Sequence, residues 1–286
     1  MRRVHFLASG LAGALLAGSV GARDLAYLLH ADGFWQVAVL NLDTGETRQW
    51  SSSAGDKTRI SWLPDGQRML VSAADGRVFL LDAKGHEEVI PLFPSGTVDA
   101  VVSPDGQRLA YSLSTSSSID DNNIWIADLN GQQLEKLTQM ARLQHEPVWS
   151  PDGSALYFLS GDGGHSHDVW RIDVKTRAIA QITVDALYNF DVAARADGTI
   201  ALSSNRAGHY DLWLLRPNGE AEALTNDPPL DARPSWASDG KTLAFESSRG
   251  GAMNVWLLDV ESRVMRQLTH SQAGARHPAW RPEVAR

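Results

Sequence analysis

In this chain of 286 residues, His165-Ser166-His167-Asp168 sets two imidazoles and a carboxylate side by side. Those are donors a divalent metal accepts, but a closed site needs three or four convergent ligands. His165, His167 and Asp168 are therefore weak metal candidates. Asp168 also falls at a recurring position, matched by Asn123, Asp211 and Asn254. A short polar side chain there ties down a loop through hydrogen bonds to backbone. The expectation is a structural loop, with no metal and no cofactor. The acidic run Asp120-Asp121-Asn122-Asn123 lacks the spacing of a calcium loop. There is no G-x-S-x-G elbow, Walker loop, H-E-x-x-H pair or dinucleotide fingerprint, and no cysteine to act as nucleophile or thiolate ligand.

A second set of ionisable groups is spread along the whole chain. Glu146 stands three residues before Trp149, and the same place in other repeats holds His277, Arg59, Asp99, Asp191 and Arg233. Three contiguous acids facing two arginines and a histidine would form a polarised ring, able to hold a charged ligand or a terminal segment of a partner. His145 adjoins the ring in sequence. Such a ring exists only if the repeats are blades around an axis.

The repeats are plain. A turn recurs at Pro64-Asp65-Gly66, Pro104-Asp105-Gly106, Pro151-Asp152-Gly153, Ala196-Asp197-Gly198 and Ser238-Asp239-Gly240, with an echo at Pro282-Glu283-Val284; the steps are 40, 47, 45, 42 and 44 residues. An aromatic recurs in phase at Phe79, Trp125, Trp170, Trp213 and Trp256, and a closing pair at Leu137-Thr138, Ile182-Thr183, Leu224-Thr225 and Leu268-Thr269. Each unit reads as four short strands, rich in β-branched and aromatic residues and punctuated by Gly, Asp, Asn and Pro. A period of about 40–45 residues with four strands predicts a propeller blade. Full units start near Lys57, Gly96, Ala141, Ala186 and Leu230, while residues 24–50 lack a first strand. His277-Pro278-Ala279-Trp280 copies the innermost-strand pattern of Glu146-Pro147-Val148-Trp149. The predicted fold is all-β: a six-bladed β-propeller of four-stranded blades, closed by the C-terminal strand completing blade one. Closure of this kind leaves no open sheet edge. Most of the ten tryptophans occupy repeat positions, hence core; Trp35 and Trp50 lie outside the phased set and are candidates for exposed contact residues.

Net charge is -8, a poor match for nucleic acid or anionic lipid. Residues 1–22 have the layout of a signal peptide: Arg2-Arg3, an apolar run through Val20, and small residues at Val20-Gly21-Ala22. The run is shorter than the roughly 20 residues a spanning helix needs. Cleavage is expected after Ala22, giving a periplasmic chain of one propeller domain, residues 23–286, with no transmembrane segment and expected as a monomer.

The unit HEPVWSPDGSALYFLS…DVWRIDVKTRAIAQIT resembles the WD40-like repeat, PD40, of TolB-like propellers, and the similarity runs over nearly all of the chain after residue 22. The resemblance implies a non-catalytic binding module mediating protein-protein interaction in the cell envelope, the partner being a protein or a small charged ligand. Similar repeats occur in peptidase propellers and in oligogalacturonate lyases. The alternative is accordingly a lyase or hydrolase acting on an acidic sugar at the channel mouth, near His277, His145 and Glu146.

Overall fold

The computed structural model describes residues 23–90, 94–116, 118, 121–161, 166–184 and 187–283. It consists of six antiparallel four-stranded sheets arranged as blades in a ring. Blade one holds β1 (Asp24–Ala31), β2 (Phe34–Asn41) and β3 (Thr47–Gln49), and blade two β4 (Lys57–Trp62), β5 (Arg68–Ala73), β6 (Val78–Asp82) and β7 (Glu87–Val89). Blade three holds β8 (Thr97–Val102), β9 (Arg108–Ser114), β10 (Asn122–Asp128) and β11 (Glu135–Lys136). Blade four holds β12 (Leu143–Trp149), β13 (Ala155–Gly161), β14 (His167–Asp173) and β15 (Ile179–Gln181). Blade five holds β16 (Asn189–Ala194), β17 (Ile200–Ser204), β18 (Asp211–Leu215) and β19 (Ala221–Ala223). Blade six holds β20 (Asp231–Trp236), β21 (Thr242–Ser247), β22 (Asn254–Asp259) and β23 (Met265–Gln267), and β24 (Ala275–Trp280) returns to pair with β1. Blade one is thereby completed by the C-terminal strand, as the repeat count predicts.

Each blade has a hydrophobic face on both sides, so its second strand is covered twice. β13 and β21 are buried at every residue, whereas the outermost strands β3 and β15 are exposed throughout. The core is divided into six clusters, each spanning one blade-to-blade seam. The seam between blades six and one packs Val255 and Leu257 against Leu25, Tyr27 and Leu40. The innermost-strand tryptophans add polar ties across seams: the indole N–H of Trp62 donates to Ala279 O (3.0 Å), that of Trp236 to Ala193 O (3.2 Å) and that of Trp280 to Ser235 O (3.1 Å).

Two repeat signals have direct structural causes. In the Pro-Asp-Gly turns the aspartate accepts a backbone N–H two residues on, as Asp152 does from Ser154, and Gly153 takes the left-handed φ of 69° that other residues resist. The closing threonine turns its hydroxyl inward: Thr138, Thr183, Thr225 and Thr269 accept the N–H of Ile124, Val169, Leu212 and Val255 at 2.8–3.0 Å. In blades four to six the recurring Asp/Asn position holds that hydroxyl in place, while in blade three Thr138 donates to Gln144 Oε1 instead (3.0 Å). Asp168 accepts from Thr183 (2.9 Å), Asp211 from Thr225 (3.2 Å) and Asn254 from Thr269 (2.8 Å). The tie is thus chiefly side chain to side chain, with backbone N–H groups added at Asp227 and Ser271.

Candidate functional site

The six aligned ionisable residues lie on the innermost strands, near the strand starts, and each sits at or beside a slip in the ladder. In β12 the slip falls between His145 and Val148, in β16 between Phe190 and Ala193, in β20 between Ala232 and Ser235, and in β8 between Val98 and Val101. In β24 it opposes Ala26–Leu28, and in β4 it falls one residue earlier, between Lys57 and Arg59. Asp99, Glu146, Asp191, Arg233 and His277 all take left-handed φ values, from 51° to 59°. Non-glycine residues adopt that region at a cost of roughly 1–3 kcal/mol each, and such strain gathers at functional sites.

A bulge frees a backbone N–H from the ladder, and here carboxylates take it up from blade to blade. Glu146 Oε2 accepts the N–H of Asp191 (3.3 Å), Asp191 Oδ2 that of Arg233 (3.3 Å), and Glu246 Oε1 that of His277 (2.7 Å). The charges are cross-linked as well. Arg59 lies 3.8 Å from Asp99 and reaches across from blade two to donate to Pro147 O in blade four (3.3 Å). Arg233 faces Asp191 at 3.8 Å, pairs with Glu246 at 3.0 Å and donates to His277 Nε2. His145 Nδ1 is 3.7 Å from Glu146 Oε1. Glu246 is a site residue that the repeat alignment misses, because it belongs to the second strand β21. Its signal is the acid itself: it pairs with Ala232 where the matching pairs carry Ser112, Leu159 and Ser203.

Electrostatics divide the ring. Burial pushes the Glu146 carboxyl up, but the His145 hydrogen bond and the nearby Arg59 and Arg233 outweigh it and hold the group down at about 2. Asp191 goes the other way, raised to about 7 by burial and by the Glu146 charge. Burial and the Arg233 and Arg59 charges push His277 well below its ordinary range, so it is neutral at pH 7 and accepts from Arg233. Asp191 therefore carries a proton in the folded chain over a window, from its ordinary 3.8 to about 7, where the unfolded chain does not. Stability from this group is present below that window and is lost as pH rises through about 7. Glu146, held low, contributes in the opposite sense as pH climbs from about 2 to its ordinary 4.5. Asp191→Asn is expected to remove the falling limb, gaining on the order of 2 kcal/mol over the wild-type chain between about pH 5 and about pH 8. Urea midpoints at the two pH values measure this, and parallel curves would refute it.

An aromatic strip that the sequence does not disclose adjoins the acid side. His145 meets His167 edge-on at 5.0 Å, and His167 meets Tyr188 (5.6 Å) and Phe190 (5.1 Å). Tyr188 and Phe190 stack at 6.0 Å with planes 10° apart, and Tyr210 follows at 5.7 Å from Phe190. All five side chains are half-buried. Across the mouth, the half-buried Trp35 lies under the Arg276 guanidinium at 3.9 Å, with His30 edge-on to it. Trp50 is 8% exposed and packs edge-on against Trp62 at 5.4 Å, so it is core and not a contact residue.

The metal candidates part company. His165 lies outside the described residues; His167 joins the aromatic strip, while the next residue, Asp168, points to Thr183 and Gln181. Among the described residues the convergent set is a different one, Asp211, Asp227 and Asp231. It contains its own cation: Arg249 bonds both Asp227 (3.3 Å) and the buried Asp231. Two open clefts lie away from the ring. The one between blades five and six is walled by Arg195, Asp197 and Trp236: Arg195 pairs with Asp197 and lies over the Trp236 ring, whose N–H goes to Ala193 O. Its charges being satisfied, the ring face remains the better candidate.

Six four-stranded blades closed in a ring define a six-bladed β-propeller. The family described as TolB beta propeller domain matches residues 72–284, and the chain belongs to it. It is 28% identical over 138 residues to a protein TolB homolog of Chlorobium luteolum, covering 48% of this chain and 31% of that protein. It is 29% identical over 131 residues to the Tol-Pal system protein TolB of Nitratidesulfovibrio vulgaris, covering 45% and 29%. The matches span about a third of the length of these relatives. Among solved structures, TolB from Acinetobacter baumannii superposes with a TM-score of 0.79 at 24% identity, covering 91% of this chain and 67% of that one. A TolB-type structure from Agrobacterium tumefaciens gives 0.73 at 20%, covering 87% and 90%. These superpositions speak for the fold.

Proposed function

We propose that the chain is a non-catalytic periplasmic propeller whose ring face binds a protein partner in the cell envelope. The observation that carries this is the mouth itself. Five charged or titratable residues are held at left-handed φ around one axis, beside half-buried aromatic rings. Strained, half-buried polar groups next to aromatic rings are the makings of a recognition surface. A relative named for the Tol-Pal system supports the envelope setting. The composition of residues 1–22 supports export; the N-terminus of the exported chain is expected at Arg23, and Edman sequencing from fractionated cells checks it. Among the described residues no helix is long and apolar enough to cross a membrane. A sugar-cleaving reading needs several converging histidines; among the described residues His145 and His167 lie side by side, and the convergent group of three, Asp211, Asp227 and Asp231, contains no histidine.

Glu146→Ala and Arg233→Ala test the reading. Each is expected to weaken partner affinity by about tenfold, the scale of a truncated interfacial charge. Binding by the wild-type chain should also weaken as salt rises. Melting temperature measured alongside separates lost binding from lost folding. Variants that keep full affinity would remove the ring from the interface.

A further inference from the structure

The charges at the mouth are not evenly answered. Arg233 is held by Glu246, Asp191 and His277 on the blade five to blade one side, and Arg276 is stacked on Trp35. On the other side Asp99, Glu146 and Asp191 stand in succession; Arg59, whose guanidinium also serves Pro147 O, lies 3.8 Å from Asp99, Arg233 lies 3.8 Å from Asp191, and Glu146 between them is paired with His145 at 3.7 Å. Glu146 and Asp191 are neighbours that each spend one oxygen on a backbone N–H, and neither has a bidentate arginine partner. The aromatic strip borders this same acid side, since His145 precedes Glu146 and Phe190 precedes Asp191. His145 Nε2 is buried without a hydrogen-bond partner.

Resting on the partner-binding reading above, we infer that the acid side of the ring and the His145–Tyr210 strip form one recognition site for an extended partner segment. That segment carries a lysine or arginine side chain next to an aromatic one. The cation would sit between Glu146 and Asp191, where charge complementarity favours it. Its aliphatic stem and the neighbouring ring would lie on Tyr188 and Phe190, which offer offset stacking and cation–π contact. Binding a cation there favours the ionised form of Asp191, so association should release a proton where Asp191 is still protonated. Affinity should accordingly rise with pH up to about neutrality. The groups facing Asp191 that set this dependence are Glu146, Arg233, Glu246 and Arg59.

The probe is the blocked tetrapeptide acetyl-Gly-Lys-Trp-Gly-amide, titrated into the full exported chain and followed by amide chemical shifts. Its counterpart with glutamate in place of lysine is the control. The lysine peptide is expected to bind about tenfold tighter than the glutamate peptide. It should lose about fivefold in Asp191→Asn and in Tyr188→Ala, both checked for folding by melting temperature. Equal or reversed preference, or unchanged affinity in both variants, would overturn the inference. So would binding to phosphatidylethanolamine vesicles in place of either peptide. The partner-binding reading is scored separately, by cross-linking from position 188 in cells: an adduct there with no lysine preference sinks only the cation, and no adduct sinks the broader reading.

Discussion

Removing residues 275 to 286 is expected to leave no folded, soluble propeller. β24 supplies the innermost strand of a blade whose other strands, Asp24 to Gln49, stand at the opposite end of the chain from Ala275, and it touches three blades. Within blade one it pairs with β1, and Arg281 holds Asp24 through both a salt bridge (2.7 Å) and its backbone N–H (3.0 Å). Towards blade six, Trp280 donates to Ser235 O and the His277 N–H is held by Glu246. Towards blade two, Ala279 O accepts the Trp62 indole N–H. The deletion also opens the core seam containing Ala275, Tyr27 and Leu257 and exposes the edge of β1. Whole domains are stable by only about 5–15 kcal/mol, so losing a strand with these ties exceeds the margin. Circular dichroism melting and size-exclusion chromatography of the truncated chain are the measurements. A monomer melting within a few degrees of the full chain would show that the ring does not close through β24.

Arg249→Ala should be the most damaging single substitution outside the hydrophobic seams. The guanidinium is 11% exposed, lies over the rings of Trp256 (5.4 Å) and Phe245 (5.7 Å), and pairs with Asp231, whose side chain is fully buried. The other oxygen of Asp231 has no hydrogen-bond partner. Breaking a buried pair from one side costs about 3–5 kcal/mol, because the remaining charge is stranded. Burial raises the Asp231 carboxyl and Arg249 is among the groups that oppose it, so removing the arginine lets the value climb further. A raised acid loses its stabilising contribution as pH rises through its folded value, hence the variant should suffer less at about pH 5 than at about pH 8. Arg249→Ala with Asp231→Asn should recover most of the loss. Denaturation midpoints at the two pH values decide it, and a single variant within about 0.5 kcal/mol of wild type would contradict the pairing.

The blades were legible because their signals are local and phased: the Pro-Asp-Gly turn, the closing threonine and the third-strand aromatic each mark one strand boundary. Ring membership followed from counting back from Trp149 in the aligned repeats. Left-handed φ at Glu146, Asp191 and Arg233 was not legible, since nothing in those residue types demands it, as a glycine would. Nor was the work of the carboxylates in capping bulge N–H groups, which depends on the bulge. His145, His167, Tyr188, Phe190 and Tyr210 span 66 positions of sequence and meet only because innermost-strand starts and the turns between second and third strands share one face. Adjacent His167 and Asp168 are only weak joint-ligand candidates in the sequence, which favours a structural loop, and alternation along β14 sends them opposite ways. Trp50 fell outside the phased set because it stands where other blades place their closing leucine, before Ser51 in the role of threonine.

The central claim is that the ring face, and not the face of Pro-Asp-Gly turns, receives the partner. A photo-reactive side chain in place of Tyr188 marks the first face, and one in place of the exposed Gln107 marks the second. Irradiating intact host cells that export either variant, then resolving the adducts by mass, compares them directly. The proposed partner site predicts a discrete protein adduct from position 188, weakened when Glu146→Ala is added, and none from position 107. Adducts from position 107 alone, or from neither position, would contradict it.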